Sequence, residues 1–233
     1  MSLAVEPCRS VSAVFWDSIE TVLLDMDGTL LDLSFDNDFW GRAIPEHYAT
    51  IHHISHEEAA SRLNSIFAAE SGRLNWYCLD FWSATLGFDV AQLKRTLAHG
   101  IAWRPEAERF LKQLSASHCD VVLITNAHPE TLKIKLERVM LTPWFDRVVS
   151  SHEYGVPKEN NVFWQRLQEN HAFNPTKTLF IDDSEPVLDA AHDYGIQHLI
   201  SLRQPDSRQP PKTDTRYPAI LHFDEISKGL PAL

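Results

Sequence analysis

Cysteine, glycine and basic side chains are all scarce in this sequence, and each shortage excludes something. Its three cysteines, Cys8, Cys78 and Cys119, are scattered through 233 residues. An odd number at no repeating spacing makes no disulfide framework and reads as reduced thiols, which fits a cytoplasmic location. There are 21 Lys and Arg against 32 Asp and Glu, a net charge of −11. Nucleic acid and anionic membranes require basic faces, so neither is expected as a partner. No apolar run approaches membrane-spanning length, and Met1 to Ser10 contain no apolar stretch of the kind a secretory leader needs. With only 8 glycines and no internal repeat, the chain reads as a folded globular protein, with 44% hydrophobic residues to build its core. An anionic ligand would have to be held locally, by a few Lys or Arg side chains, backbone N–H groups or a metal.

What is present begins at Thr21-Val22-Leu23-Leu24-Asp25-Met26-Asp27-Gly28-Thr29-Leu30. An apolar run closes on two carboxylates spaced i, i+2, which on a strand share one face. At the carboxyl end of a strand they stand where open α/β sheets bind ligands. Held together, they repel unless a cation or a shared proton lies between them. Three further pieces follow in a workable order. Val121 to Ile124 is a second apolar run, closing on Thr125 and Asn126. Lys158 lies in a turn after Val148-Val149-Ser150-Ser151. Thr178 to Ile181 is another apolar run, ending in Asp182 and Asp183. Each later piece alone is an ordinary turn, solvated charge or helix cap; the order and strand-end placement of all four are not.

The elements around these pieces alternate from residue 105 onward. Pro105 suits a first helical position, with Phe110, Leu111 and Leu114 as the apolar stripe behind it. Then come strand 121–125, a helix over 129–140 with Leu132, Leu136, Val139 and Met140 on one side, and strand 147–151. Helix 160–170, strand 177–182, a helix over 185–194 ending at Gly195, and a strand from His198 to Leu202 complete the series. Repeated strand–helix units predict a doubly wound parallel sheet, a Rossmann-like α/β core. Residues 33–104 break the rhythm and read as helices. One is capped by Ser55 with Glu58 and stops near Gly72, one spans Trp76 to Gly87, and one runs from Asp89 to Gly100. The domains expected are therefore a core of 1–32 and 105–233 and a helical insert of 33–104. The Pro-rich stretch after Leu202 reads as a loop, and Leu221 to Leu230 as a short closing helix.

The four pieces resemble the motifs of the haloacid dehalogenase-like hydrolases. Motif one lies at Asp25 to Thr29, motif two at Thr125, motif three at Lys158 and motif four at Asp182-Asp183. The resemblance spans nearly the whole chain. It implies that the insert is an α-helical cap closing over the site. It also implies a Mg²⁺ cofactor, Asp25 as nucleophile forming an aspartyl-phosphate, and Asp27 as general acid and then base. Thr125, Asn126 and Lys158 would hold the phosphoryl group. Alignment on Ala190-Ala191 and Gly195-Ile196 puts Asp183 at the family's metal-ligand position. Asp182 would then contact the metal through water, and Asp25 with the main-chain carbonyl of Asp27 would complete the protein ligands.

A narrower resemblance rests on Leu24 to Leu33, Leu74-Asn75-Trp76-Tyr77-Cys78-Leu79-Asp80, Thr125-Asn126-Ala127-His128-Pro129 and Phe180 to Glu185. These runs are similar to bacterial GMP/IMP nucleotidases of the same superfamily, which implies a purine nucleoside 5′-monophosphate as substrate. Asn75, Trp76, Tyr77 and His128 are the residues expected to meet the leaving group, though most of the aromatic cluster at 76–82 is expected to be core and His128 equally suits a helix cap. A sugar-phosphate phosphatase or a phosphomutase of the same superfamily stays open. Outside the enzymes, so does a phosphoacceptor signalling domain, which also uses an Asp cluster, a Thr and a Lys. Dehalogenation fits less well, because Asp27 and the late acidic pair suit Mg²⁺ and phosphate. His52, His53 and His56 resemble a metal cluster only superficially, since no acid or Cys stands at ligand spacing.

Overall fold

The computed structural model describes residues 11 and 14–232; Cys8 and the Met1–Ser10 segment lie outside them. Five strands alternate with helices as the pattern requires: β1 (Thr21–Leu24), β2 (Asp120–Thr125), β3 (Arg147–Ser150), β4 (Thr178–Ile181) and β5 (His198–Leu202). A sixth, β6 (Ala219–Ile220), was not anticipated. It pairs parallel to Ser201 and Leu202, so the segment after the Pro-rich loop joins the sheet edge. The order is β3-β2-β1-β4-β5-β6, all parallel. The central strands are apolar on both faces because both are covered. Val22, Leu24, Val121, Leu123, Leu179 and Ile181 point into one core layer. Leu23, Val122, Ile124 and Phe180, on the alternate positions, point into the other.

Before the second strand, five helices fill the insertion: α1 (Ser34–Asp38), α2 (Ile44–His52), α3 (His56–Glu70), α4 (Leu79–Leu86) and α5 (Val90–Leu97). A π-helical turn, Phe39–Ala43, joins the first two. The insertion has its own core, with Phe39, Ile44, Leu63, Leu79, Trp82, Leu86 and Val90 buried together. Four more helices flank the sheet: α6 (Ala107–Ser115), α7 (Pro129–Arg138), α8 (Asn161–Asn170) and α9 (Glu185–Tyr194). The insertion's entry and exit segments meet in an antiparallel bridge between Leu31 and Trp103. Arg104, 3% exposed, fixes that junction by donating to the carbonyls of Thr29, Gln204 and Leu221.

Several predicted elements differ in detail. Pro105 precedes α6 rather than opening it. The anchored Arg104 makes a turn, Ala107 N–H to Arg104 C=O at 3.2 Å, and Glu106 adopts φ 62° there. The helix expected from Trp76 is two pieces, a 3₁₀ turn Leu74–Tyr77 and α4, broken at Cys78. Cys78 is extended, and its Sγ accepts the Phe81 N–H at 3.5 Å as a cap. Past α5 the chain tightens into a 3₁₀ turn, Ala98–Gly100. The expected face of α7 is rotated: Thr131, Ile134 and Lys135 are buried, whereas Met140 lies beyond the helix and is 74% exposed. No closing helix forms over 221–230. Only the turn Phe223–Glu225 is helical, because Glu225 Oε1 takes the N–H groups of Leu221 and His222 and Trp16 Nε1 takes the carbonyl of Ile226.

Candidate active site

Sheet connectivity reverses at β1, which lies between β2 and β4, and ligands bind outside the carboxyl ends of strands at such a switch point. All four sequence pieces arrive there. Asp25 follows β1, its N–H bonded to the Ile181 carbonyl at 3.0 Å. Thr125 ends β2, and its Oγ1 accepts the Ala127 N–H at 3.0 Å, turning the chain toward α7. Asp182 follows β4 and accepts the Ser184 N–H at 2.8 Å. Lys158 comes from the loop after β3. Its backbone N–H is held by Asn126 Oδ1 at 2.9 Å, and its carbonyl takes the Trp164 indole N–H at 2.8 Å.

Lys158 Nζ lies 2.6 Å from Asp25 Oδ1 and 2.6 Å from Asp182 Oδ2, and also donates to the Ile124 carbonyl. Burial alone would lower the Lys158 pKa, but the two carboxylates outweigh it and keep the ammonium charged. Lys158 faces three acids, because carboxylate oxygens of Asp25, Asp182 and Asp183 all lie within 4.8 Å of one another; Lys212, whose Nζ donates to the Asp183 carbonyl at 3.1 Å, adds a second positive charge beside Asp183. Burial raises the Asp25 pKa to about 6; Lys158 opposes this and Asp182 adds to it. Asp183 is raised well above the usual carboxylate range, by burial and then by Asp182 and Asp25. Both Asp182 oxygens have protein partners, Lys158 and Ser184. Among the described residues, no donor reaches the Asp183 carboxylate. An all-oxygen donor set with excess negative charge and one unengaged carboxylate fits a hard divalent cation.

Gly28 makes this cluster possible. It has φ +82°, and a Cβ built there would stand 2.6 Å from Asp183 Cγ and Oδ2. Gly28→Ala should therefore cost about 1–2 kcal/mol in left-handed backbone strain and also displace Asp183. Calorimetric titration with Mg²⁺ should show weakened binding in that variant. Unchanged affinity would mean that Asp183 does not contribute a ligand.

Asp27 has a separate cation. Lys135 Nζ, on the buried face of α7, lies 2.5 Å from Asp27 Oδ1 and 2.6 Å from Asp36 Oδ2; Lys94 Nζ lies 2.7 Å from Asp36 Oδ1. Lys94 and Lys135 are each 1% exposed. Burial raises the Asp27 pKa to about 6; Lys135 opposes the rise, and Asp36 and Asp25 add to it. Asp36 is held well below the usual range by Lys135 and Lys94, against the effect of burial. Sequence reasoning missed Asp36, Lys94 and Lys135. The available signal was the i, i+3, i+4 grouping of Thr131, Ile134 and Lys135 in the helix that follows Thr125-Asn126.

Asp25, Asp27, Thr125, Asn126, Lys158, Asp182 and Asp183 line one side of a cavity of about 610 Å³. Trp40, Leu63, Phe67, Trp76, Tyr77 and Leu79 of the insertion line the other. Trp76 packs edge-to-face against Phe67 and Trp82, with centroids 6.0 and 6.2 Å apart. Tyr77 OH donates to Glu159 Oε1 at 2.7 Å, and Glu159 Oε2 accepts from Asn126 Nδ2 at 2.9 Å, linking the insertion to the sheet side of the cavity. Asn75 and His128 are not among the lining residues. Asn75 is exposed. His128 caps α7, its Nδ1 accepting the Glu130 N–H at 3.4 Å. His52, His53 and His56 are exposed, as expected of a solvated loop and helix start.

The haloacid dehalogenase-like hydrolase family model matches residues 19–195. The chain belongs to that family. It is 39% identical over 217 residues to the GMP/IMP nucleotidase YrfG of Escherichia coli K12, covering 93% of this chain and 98% of that one. The HAD phosphatase of Thermococcus onnurineus superposes with a TM-score of 0.73 at 19% identity, covering 89% of this chain and 95% of the other. The putative HAD-hydrolase YfnB of Bacillus subtilis, solved bound to magnesium, gives 0.59 at 20% identity, covering 89% and 96%. At these identities the two structures establish the shared α/β core with its helical insertion and no more. No helix among the described residues is long and apolar enough to cross a membrane.

Proposed function

We propose that this hydrolase is a Mg²⁺-dependent phosphatase acting on purine nucleoside 5′-monophosphates, GMP and IMP among them, through an aspartyl-phosphate. The observation that carries this reading is the two-sided cavity: carboxylates and Lys158 on the sheet side, aromatic rings on the insertion side. The near full-length similarity to a GMP/IMP nucleotidase supports it. Reduced Cys78 and Cys119 are consistent with a cytoplasmic setting.

Asp25, Asp183 and the Asp27 carbonyl are the groups we assign to Mg²⁺, with Asp182 one water removed because Lys158 and Ser184 already occupy its oxygens. When bound, the ion offsets the repulsion between an attacking carboxylate and a phosphate dianion. An Asp25 oxygen forms the new bond to phosphorus as the ester P–O bond breaks. Asp27 gives its proton to the departing 5′-oxygen, a role suited to a carboxyl with pKa raised to about 6. Asp27 then takes a proton from the water that attacks phosphorus, releasing Asp25 and inorganic phosphate. Thr125, Asn126 and Lys158 hold the phosphoryl oxygens and offset the charge that develops on them.

The test is phosphate release from GMP, IMP, AMP, glucose 6-phosphate and p-nitrophenyl phosphate. EDTA should stop it and Mg²⁺ restore it. A clear preference for the hexose phosphate would end the nucleotidase reading and leave the sugar-phosphate alternative. Stacking of a base on an aromatic ring contributes about 1–3 kcal/mol. Trp76→Ala should therefore lower kcat/KM for GMP or IMP about 10- to 100-fold and leave p-nitrophenyl phosphate much less affected. Equal losses on both would assign Trp76 to packing against Phe67 and Trp82.

A further inference from the structure

A second cluster lies at the seam between the insertion and the sheet, clear of the cavity. One ligand atom each from Cys78, His128 and His152 lies within 4.8 Å of the other two. The three come from separate places: the break before α4, the cap of α7, and the 3₁₀ turn Ser151–Tyr154 after β3. The imidazoles of His128 and His152 meet edge-to-face with centroids 5.0 Å apart. His152 Nε2 is buried with no hydrogen-bond partner, an arrangement that folded proteins avoid unless something else satisfies the nitrogen. His128 spends Nδ1 on its cap, which leaves Nε2, and Asp80 Oδ2 stands 3.7 Å from that atom. Cys78 Sγ faces the first turn of α4 and accepts the Phe81 N–H.

We propose that Cys78, His128 and His152, with Asp80 as fourth ligand, form a site for a zinc-class divalent ion that ties the helical insertion to the sheet domain. Thiolate and imidazole select such an ion over Mg²⁺, which prefers oxygen. Tetrahedral Zn–N and Zn–S bonds place ligand atoms about 3.5 Å apart, and the three atoms already lie within 4.8 Å of one another. Asp80 is 85% exposed and free to swing inward. Cys78 gives its thiol proton to solvent as the bond to the ion forms. Two ligands come from the insertion and two from the sheet domain, so the ion fastens the insertion over the cavity beside the Tyr77–Glu159 contact. Loading therefore slows the exchange of whatever the cavity binds.

The site does not depend on the substrate reading, and its test does not use turnover. Reduced protein, saturated with Mg²⁺, is titrated with Co²⁺ alone. One equivalent should produce a thiolate-to-cobalt charge-transfer absorption, which added Zn²⁺ then removes. Cys78→Ser should abolish the band, with unchanged thermal melting in EDTA. His152→Gln should weaken cobalt binding about tenfold or more. Asp183→Asn, in the other cluster, should leave the band intact. The proposal is overturned if the wild type gives no thiolate band, if the band survives Cys78→Ser, or if Asp183→Asn removes it.

Discussion

Replacing Asp25 by Asn should reduce phosphate release at least about a thousandfold, by analogy with the loss of other enzymatic nucleophiles, while the protein stays folded. Asn keeps the shape and can still meet Lys158 Nζ, which lies 2.6 Å from Asp25 Oδ1. It is no longer an anion that can attack phosphorus. Stability should hold or improve, since the substitution removes one of three crowded carboxylates; burial first, and then their mutual repulsion, raises the Asp25 and Asp183 pKa values. Lys158 keeps Asp182 as a counter-charge at 2.6 Å. The measurements are single-turnover phosphate release and thermal melting in EDTA. Melting at or above the wild-type temperature with activity lost separates chemistry from folding. A rate near that of the wild type would refute the aspartyl-phosphate route.

The residues that approach the site along the backbone were legible because strand ends are legible. Leu24-Asp25, Ile124-Thr125 and Ile181-Asp182 each mark an apolar run meeting a polar residue, and parallel pairing sets the three ends side by side. Lys158 was readable only as one of a set, since nothing local says that a loop lysine is buried. The buried face of α7 was misread because apolar residues were assumed to mark it. Leu132 and Leu136 are only partly buried, whereas Lys135 is inside. Lys94 and Asp36 escaped notice for the same reason. A buried ion pair is a tertiary fact, and each member looks like a solvated charge in its own helix. The Cys78–His128–His152 cluster joins residues 50 and 24 positions apart in sequence, with no spacing signature to connect them. Of the short elements at the edges, β6 depends on pairing with Ser201 and Leu202, and the turn at Phe223–Glu225 is backed by Trp16, whose indole donates to the Ile226 carbonyl from 210 positions away.

The ion network around Asp27 carries a large expected stability effect outside the hydrophobic core. Lys135→Met keeps the length and apolar stem of the side chain and removes only its charge. Asp27 and Asp36 lie 2.5 and 2.6 Å from that charge, and Asp36 retains Lys94 at 2.7 Å. Asp27 is left without a cation, still facing the negative charges of Asp36 and Asp25. Removing one partner of a buried pair costs about 3–5 kcal/mol, and denaturant titration in EDTA at pH 7.5 should register a loss of that order. The sign of its pH dependence follows from Asp27, whose folded pKa already stands near 6 against 3.8 for an ordinary Asp. Without Lys135 that pKa rises further, so as pH falls the folded variant takes up a proton before the unfolded chain does. Proton uptake by the folded form stabilises it, and the deficit relative to wild type should narrow between pH 7.5 and 5. The same shift should carry the alkaline limb of the kcat/KM profile to higher pH, because Asp27 must enter the reaction protonated to give its proton to the departing oxygen. A deficit that is constant across this range would mean that Lys135 contributes packing rather than charge, and that Asp27 is tuned by something other than the helix behind it.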